Sequence, residues 1–225
     1  SHPVAAALIR EAAVPVAAPS ANISGRPSPT NASHVIEDLS GRVEIIIDSD
    51  NSKIGLESTV LDVSVDPPSV LRPGGVTVEQ LEGILGKVNV DKSCFSFCPD
   101  GTVPRSPGMK YRHYSPKAKV IIVQGPSDKV TEKINSMLKE YELKGITAGV
   151  LATDQTVGLY NSPHILSAGD RSAPDTIAAK LFWSLRELDR EGLDVILAEA
   201  VESKGIGLAI MNRLSKAAGF NIIKV

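Results

Sequence analysis

The feature that most narrows the fold is an alternation in the second half of the chain, where short apolar runs take turns with segments of helical period. Val120-Ile121-Ile122-Val123 reads as a buried strand. Gly149-Val150-Leu151-Ala152, His164-Ile165-Leu166, Val195-Ile196-Leu197-Ala198 and Ile222-Ile223-Lys224-Val225 read as further strands. Helices are predicted between them. One runs from Ser127 to Tyr141, with Val130, Ile134, Met137, Leu138 and Tyr141 on one face. A second, Pro174 to Arg190, is expected to bury Ile177, Leu181, Phe182, Leu185 and Leu188, and a third spans Leu208 to Ala218. A parallel strand pair needs a crossover, and a helix supplies it, so this order predicts a parallel sheet flanked by helices. The fold class is α/β, and residues 119–225 are expected to form a Rossmann-like domain.

The first 92 residues carry a different pattern. Val4 to Ala13 has helical spacing and stops before Pro15; Val14 to Ala18 is expected to be a short strand that Pro19 ends. Ser20 to Thr30 is a loop of small, hydroxyl-bearing residues. A helix over Ala32 to Leu39 and a strand from Val43 to Ile47 follow, then a strand over Val60 to Val65. Val70-Leu71 leads into a turn at Arg72-Pro73-Gly74-Gly75. Thr77 is the predicted N-cap of a helix from Val78 to Leu85 that Gly86 stops. From Asn89 to Pro116 no period survives and four prolines intervene, so residues 93–118 are expected to be a linker between two units, 1–92 and 119–225.

Composition limits the classes of function. A net charge of −2 argues against a domain that holds nucleic acid by global charge. No apolar run approaches the roughly 18 residues of a membrane span, and Ser1-His2-Pro3-Val4 shows no secretory pattern. Cys94 and Cys98 are too few for a disulfide framework or a metal site. Reduced thiols in a cytoplasmic protein are expected, and no metal ligands.

Four segments offer chemistry. Ser20-Ala21-Asn22 opens the small-residue loop, where short side chains admit a ligand to the backbone and neutral donors suit phosphate oxygens. A turn in which Ser and Asn bond their own backbone explains the same residues. Arg72 at its tight turn suits bidentate phosphate contact, and equally a surface arginine. Ser58 and Thr59 at the edge of a strand are compatible with a polar ligand or with ordinary strand propensity. Between Gly101 and Lys119 stand Arg105, Lys110, Arg112, His113, Lys117 and Lys119 with Tyr111 and Tyr114 among them. Rings beside cations suit a nucleotide, the ring stacking on the base and the cations meeting phosphate; a solvated basic tether is the alternative. Gly83-Ile84-Leu85-Gly86-Lys87 is too short between glycines for a P-loop, and Gly205-Ile206-Gly207 lacks the third glycine of a dinucleotide fingerprint. His34 and His164 lack metal-ligand spacing and are expected in core or surface roles.

Together these segments resemble the YrdC-like threonylcarbamoyl-AMP synthases of the long, two-domain form. Ala18 to Thr30 is similar to the family's signature loop; Ile54-Gly55-Leu56-Glu57-Ser58-Thr59-Val60 and Leu71-Arg72-Pro73-Gly74 resemble its next two motifs in the same order. Ser106 to Pro116 resembles the linker of the long form, and Asn212 to Ala218 the end of its C-terminal domain.

The resemblance implies that residues 1–92 are the second half of a YrdC-like catalytic domain. It implies a reaction in which ATP, L-threonine and bicarbonate give threonylcarbamoyl-adenylate and pyrophosphate, with Mg2+ accompanying the ATP. Ser20, Asn22, Ser28, Arg72 and Tyr111 would then be ATP-binding, and Ala18 and Ser58 threonine-binding, with no nucleophile required. A tRNA-modifying threonylcarbamoyl transferase is the expected downstream partner. In the family a Lys-x-Arg pair stands on the opposite wall of the cleft, in a region before Ser1 of this chain; Lys110-Tyr111-Arg112 belongs to the linker instead. The expectation is a partial active site, with an exposed apolar face where the other wall belongs. That wall would be truncated here or supplied by another polypeptide. The alternative class is a non-catalytic module that docks a protein, tRNA or double-stranded RNA.

Overall fold

The computed structural model describes residues 2–49, 51–96, 105 and 114–225. Local signals set the first helices. In α1 (Pro3–Ala12) the proline stands in the first turn, where its missing N–H has no intrahelical partner to lose. In α2 (Ala32–Leu39) the Asn31 side chain caps the start by accepting the His34 N–H at 3.1 Å. Three short strands then form a small sheet: β1 (Val60–Asp62) antiparallel to β2 (Ser69–Arg72), and β2 parallel to β3 (Asn89–Val90). Between β2 and β3 lies α3 (Val78–Leu85), whose start is closed by a capping box. The Gln80 N–H donates to Thr77 Oγ1 at 3.3 Å, and the Thr77 N–H donates to Gln80 Oε1 at 2.9 Å.

The rest of the chain is a five-stranded, wholly parallel sheet in the order β6-β5-β7-β4-β8. Its elements run β4 (Lys119–Gln124), α4 (Ser127–Leu143), β5 (Ala148–Ala152), β6 (Ile165–Ser167), α5 (Pro174–Arg190), β7 (Val195–Glu199), α6 (Ile206–Ala217) and β8 (Ile222–Lys224). Successive side chains of a strand point to opposite faces, and β4 divides accordingly. Val120 and Ile122 join Leu181, Phe182, Leu185, Ile210 and Leu214 under α5 and α6. Ile121 and Val123 join Val130, Ile134, Met137 and Leu138 under α4. Both faces are covered, which is why the strands read as continuous apolar runs.

Three expectations need correction. Val14 to Ala18 and Val43 to Ile47 are not strands. A strand needs a partner for its backbone groups, and none is present for them among the described residues; Val14, Val16, Ile45 and Ile47 are 58, 54, 79 and 57% exposed. The strand expected to reach Val65 stops at Asp62, because the Asp62 carboxylate takes the Ser64 N–H at 2.9 Å and turns the chain. Regular structure also continues into the expected linker-side stretch as β3 and a short 3-10 turn over Lys92–Cys94. Cys94 is buried there, its thiol donating to the Leu71 carbonyl at 3.4 Å; Cys98 lies outside the described residues.

Residues of the first half sit directly on the parallel-sheet half. Gly55 has φ 71°, and a Cβ there would stand 2.5 Å from the Ala178 and Ala179 carbonyls of α5, so only glycine fits. Arg186 of α5, 4% exposed, donates to the Pro27 carbonyl at 2.6 and 3.1 Å and to Asp38 at 2.7 and 3.3 Å. Arg213 of α6 donates to Glu57 at 2.6 Å. These contacts hold the small-residue loop and the segment before β1 in place.

Candidate functional site

The loop over Ser20 to Ser28, the segment Glu57-Ser58 and the end of β2 enclose a cleft of about 670 Å³. Ala18, Ser20, Asn22, Ser28, Ser58 and Arg72 all line it, so six of the seven expected site residues converge. The seventh, Tyr111, lies outside the described residues. Ser24, Arg26, Glu57 and Tyr114 complete much of the lining.

Arg72 is brought in by β2, all four residues of which are buried. Its Nε and Nη2 donate to the Ser58 carbonyl at 3.1 and 2.9 Å, and Nη2 reaches Ser58 Oγ at 3.4 Å. Gly74 makes that proximity possible, since a Cβ there would lie 2.4 Å from the backbone of Glu57 and Thr59. Burial first, then the nearby Arg213 charge, pull the Arg72 pKa below its ordinary value. Such a cation gains from an anion brought beside it.

Ser28 is 8% exposed, and its Oγ donates to Glu57 Oε1 at 2.5 Å. Burial pushes the Glu57 carboxyl up, but the Arg213 charge and hydrogen bonds from Ser28 and Arg213 outweigh it. Glu57 is thereby held below the usual carboxylate range. Asn22 partly follows the turn alternative: its amide donates to the carbonyls of Ile23 at 2.9 Å and Arg26 at 3.3 Å. Its Oδ1 is buried without a hydrogen-bond partner among the described residues. Arg26 is committed to Asp38 and Glu37.

The linker cations that are described do not gather at the cleft. Arg105 pairs with Asp62 of β1, and Lys119 begins β4. Tyr114 is not an open stacking platform either. It is 6% exposed, its ring stacks on Phe182 with centroids 5.2 Å apart, and its edge at the cleft hydrogen-bonds Arg72. Burial, ahead of its charged neighbours, raises its pKa. Lys110, Arg112 and His113 lie outside the described residues.

Glu57, Arg213 and the buried role of Tyr114 escaped the sequence. One signal for Arg213 was present: it is a charge on a helix whose neighbours Met211, Leu214 and Ala217 are apolar, which calls for a buried partner. His34 takes the expected core role. It is fully buried, and its Nδ1 accepts the Thr30 N–H at 3.2 Å. His164 takes the surface role beside Glu191. Among the described residues no three His, Cys, Asp or Glu side chains are grouped to hold a metal, and no helix is long and apolar enough to cross a membrane.

An α/β chain with a polar cleft walled by a small-residue loop and a buried arginine is the class that fold and site define. The family model described as threonylcarbamoyl-AMP synthase, C-terminal domain, matches residues 76–219, and this chain belongs to that family. A second model, described as telomere recombination, matches residues 1–74. The threonylcarbamoyl-AMP synthase of Pyrococcus abyssi is 47% identical over 225 residues, all of this chain and 64% of the relative. That of Bacillus subtilis is 47% identical over 223 residues, 99% of this chain and 62% of the relative. The crystal structure of P. abyssi Sua5 complexed with L-threonine superposes with a TM-score of 0.92 at 47% identity, again over all of this chain and 64% of that one. This chain therefore spans a little under two thirds of the length of these relatives.

Proposed function

We propose that this chain forms one wall of a threonylcarbamoyl-AMP synthase site, where ATP, L-threonine and bicarbonate become threonylcarbamoyl-adenylate and pyrophosphate. The observation that carries this is the convergence of Ala18, Ser20, Asn22, Ser28, Ser58 and Arg72 on one cleft with a buried cation. The likeness to relatives bearing that name supports it. In this function the Ser20–Ser28 loop and Arg72 receive the nucleotide, and Ala18 and Ser58 receive threonine. Tyr111, outside the described residues, is proposed as a further ATP-binding residue. The chain supplies no nucleophile: it positions reactants and stabilises phosphate charge as the carbamate of threonine attacks the α-phosphorus and pyrophosphate leaves. Mg2+ would accompany ATP on its phosphates, because the one carboxylate that lines the cleft among the described residues, Glu57, is already committed to Ser28 and Arg213 and fits poorly as a ligand. The product would pass to a threonylcarbamoyl transferase acting on tRNA in the cytoplasm.

The second wall is proposed to be the segment by which the relatives exceed this chain, in the same polypeptide or as another. Apolar side chains are exposed in the first 47 residues: Val4, Leu8, Ile9, Val14, Val16, Val43, Ile45 and Ile47 are each exposed by 41% or more. Burying such surface stabilises by roughly 25 cal/mol per Å², a large driving force for a partner of matching apolarity. Pyrophosphate release tests this function. The chain alone should release none from ATP, and the chain with the second wall should release it only when threonine and bicarbonate are both present. Release that ignores threonine would remove the adenylate reaction, and full turnover by the chain alone would remove the two-wall account. Saturable binding to a protein or RNA without turnover in either form would favour the docking module.

A further inference from the structure

The nucleotide cleft proposed above contains a contradiction in charge. A polyanion is to enter a space that Glu57, held as a carboxylate, lines from within. Like charges repel far more strongly in a partly desolvated cleft than in bulk water, so an uncompensated carboxylate there would oppose the ligand.

The compensation comes from the other half of the molecule. Arg213 of α6 is fully buried and is the largest such side chain among the described residues. Its Nε donates to Glu57 Oε2 at 2.6 Å, and Nη2 reaches the Glu57 carbonyl at 3.4 Å. Nη1 donates to Asn212 Oδ1 at 2.7 Å, while Asn212 is itself fixed through its amide on the Cys94 carbonyl at 2.8 Å. The guanidinium also lies over the Tyr114 ring, 5.6 Å from the centroid. One oxygen of Glu57 is thus spent on Arg213 and the other on Ser28, whose hydroxyl proton points at the carboxylate. A hydroxyl whose proton is so used can only accept from a ligand.

Resting on the proposed function, we infer that Arg213 is a positioning residue for the cleft. It neutralises Glu57 so that a nucleotide polyanion is admitted, and through Glu57 it fixes Ser28 as an acceptor, matched to a ligand hydroxyl, amine or cation rather than to a phosphate oxygen. The parallel-sheet domain takes part in ligand recognition by this route, without touching the ligand. The charged and titratable groups facing Glu57 are Arg213 from α6, Arg72 from β2 and Tyr114 before β4. With Arg213 removed, burial acts on Glu57 against fewer opposing charges, its carboxyl rises, and protonation becomes an alternative means of removing its charge.

The test is MgATP titration of the protein with its second wall present, at pH 8 and pH 6, for wild type, Arg213→Gln, Glu57→Gln and the double variant. Glu57→Gln keeps the shape and one acceptor oxygen, which can serve Ser28 or Arg213 but not both. Arg213→Gln should bind at least tenfold more weakly at pH 8, and the deficit should narrow at pH 6. The double variant should return to within about threefold of wild type, and Glu57→Gln should bind at least as tightly. Thermal melts verify folding, and they also read the pair without any ligand. Arg213→Gln should lose stability between pH 6 and pH 8, and the double variant should not. Wild-type affinity in folded Arg213→Gln would overturn the inference, as would a double variant as weak as Arg213→Gln with no pH dependence, since that would make Arg213 a structural tether. Failure of the wild type to bind MgATP would overturn the proposed function instead.

Discussion

Arg186→Met lowers the stability of the protein by about 3 kcal/mol, the larger of two effects expected at the junction of its halves. Arg186 holds the Pro27 carbonyl and both oxygens of Asp38, whose side chain has no solvent exposure. Removing one partner of a buried pair costs about 3–5 kcal/mol, because the remaining charge is left without its compensation. The low end applies because Arg26 and the Ile23 N–H still reach Asp38. Arg190→Met is the control. Arg190 is 40% exposed in the side chain and pairs with the partly exposed Glu37 and Glu187; such pairs are worth about 1 kcal/mol or less. Urea titrations of the two variants should differ clearly in midpoint. Equal, small shifts would mean that the halves are held by apolar packing and not by Arg186. Because Arg186 grips Pro27 next to Ser28, the same variant should loosen the cleft loop.

The second large effect is on acid stability and arises from His34. Burial first, then the charges of Arg186 and Arg190, lower its pKa from 6.5 to about 4, with Glu37 and Asp38 acting in the opposite sense. The folded state therefore favours the neutral ring, which accepts the Thr30 N–H. The sign follows from linkage: a depressed folded pKa gives stability that is complete above pH 6.5 and is lost as pH falls toward 4. At roughly 1.4 kcal/mol per unit the loss is of order 3 kcal/mol. Unfolding free energies at pH 7, 5.5 and 4.5 should fall in the wild type and stay flatter in His34→Gln, which retains an acceptor. The carboxylates Glu37 and Asp38, both held below their ordinary values, contribute only at the acid end of that range. Parallel pH profiles for wild type and His34→Gln would contradict this assignment.

Legibility in the sequence tracked how local the determining physics is. The helices over Ala32–Leu39, Val78–Leu85 and Pro174–Arg190 were readable to the residue, because a helical period is a local signal, joined at Val78–Leu85 by the Thr77 cap and the Gly86 stop. The parallel sheet was readable for a similar reason, since strands buried on both faces are continuous apolar runs. Val14 to Ala18 and Val43 to Ile47 have equally strand-like composition, but a strand is made by its partner, and composition carries no information about that. The cleft was legible through its motifs, while its charge balance was not. Glu57 and Arg213 are 156 positions apart, and only the packing of α6 against the segment before β1 brings them together. Tyr114 was legible as an aromatic among cations; that its ring would settle on Phe182 depended on the same packing. Arg105 illustrates the converse, one of the linker cations left open between a nucleotide and solvent, which pairs with Asp62 instead.

A crystal structure of the protein with its second wall, grown with a non-hydrolysable MgATP analogue and L-threonine, would show whether the cleft is the nucleotide site. The nucleotide is expected between the Ser20–Ser28 loop and Arg72, with threonine beside Ala18 and Ser58. Ser28 should accept from a ligand donor while still bonded to Glu57. A nucleotide at the carboxyl ends of β4, β5 and β7, with the cleft empty at saturating ligand, would contradict it.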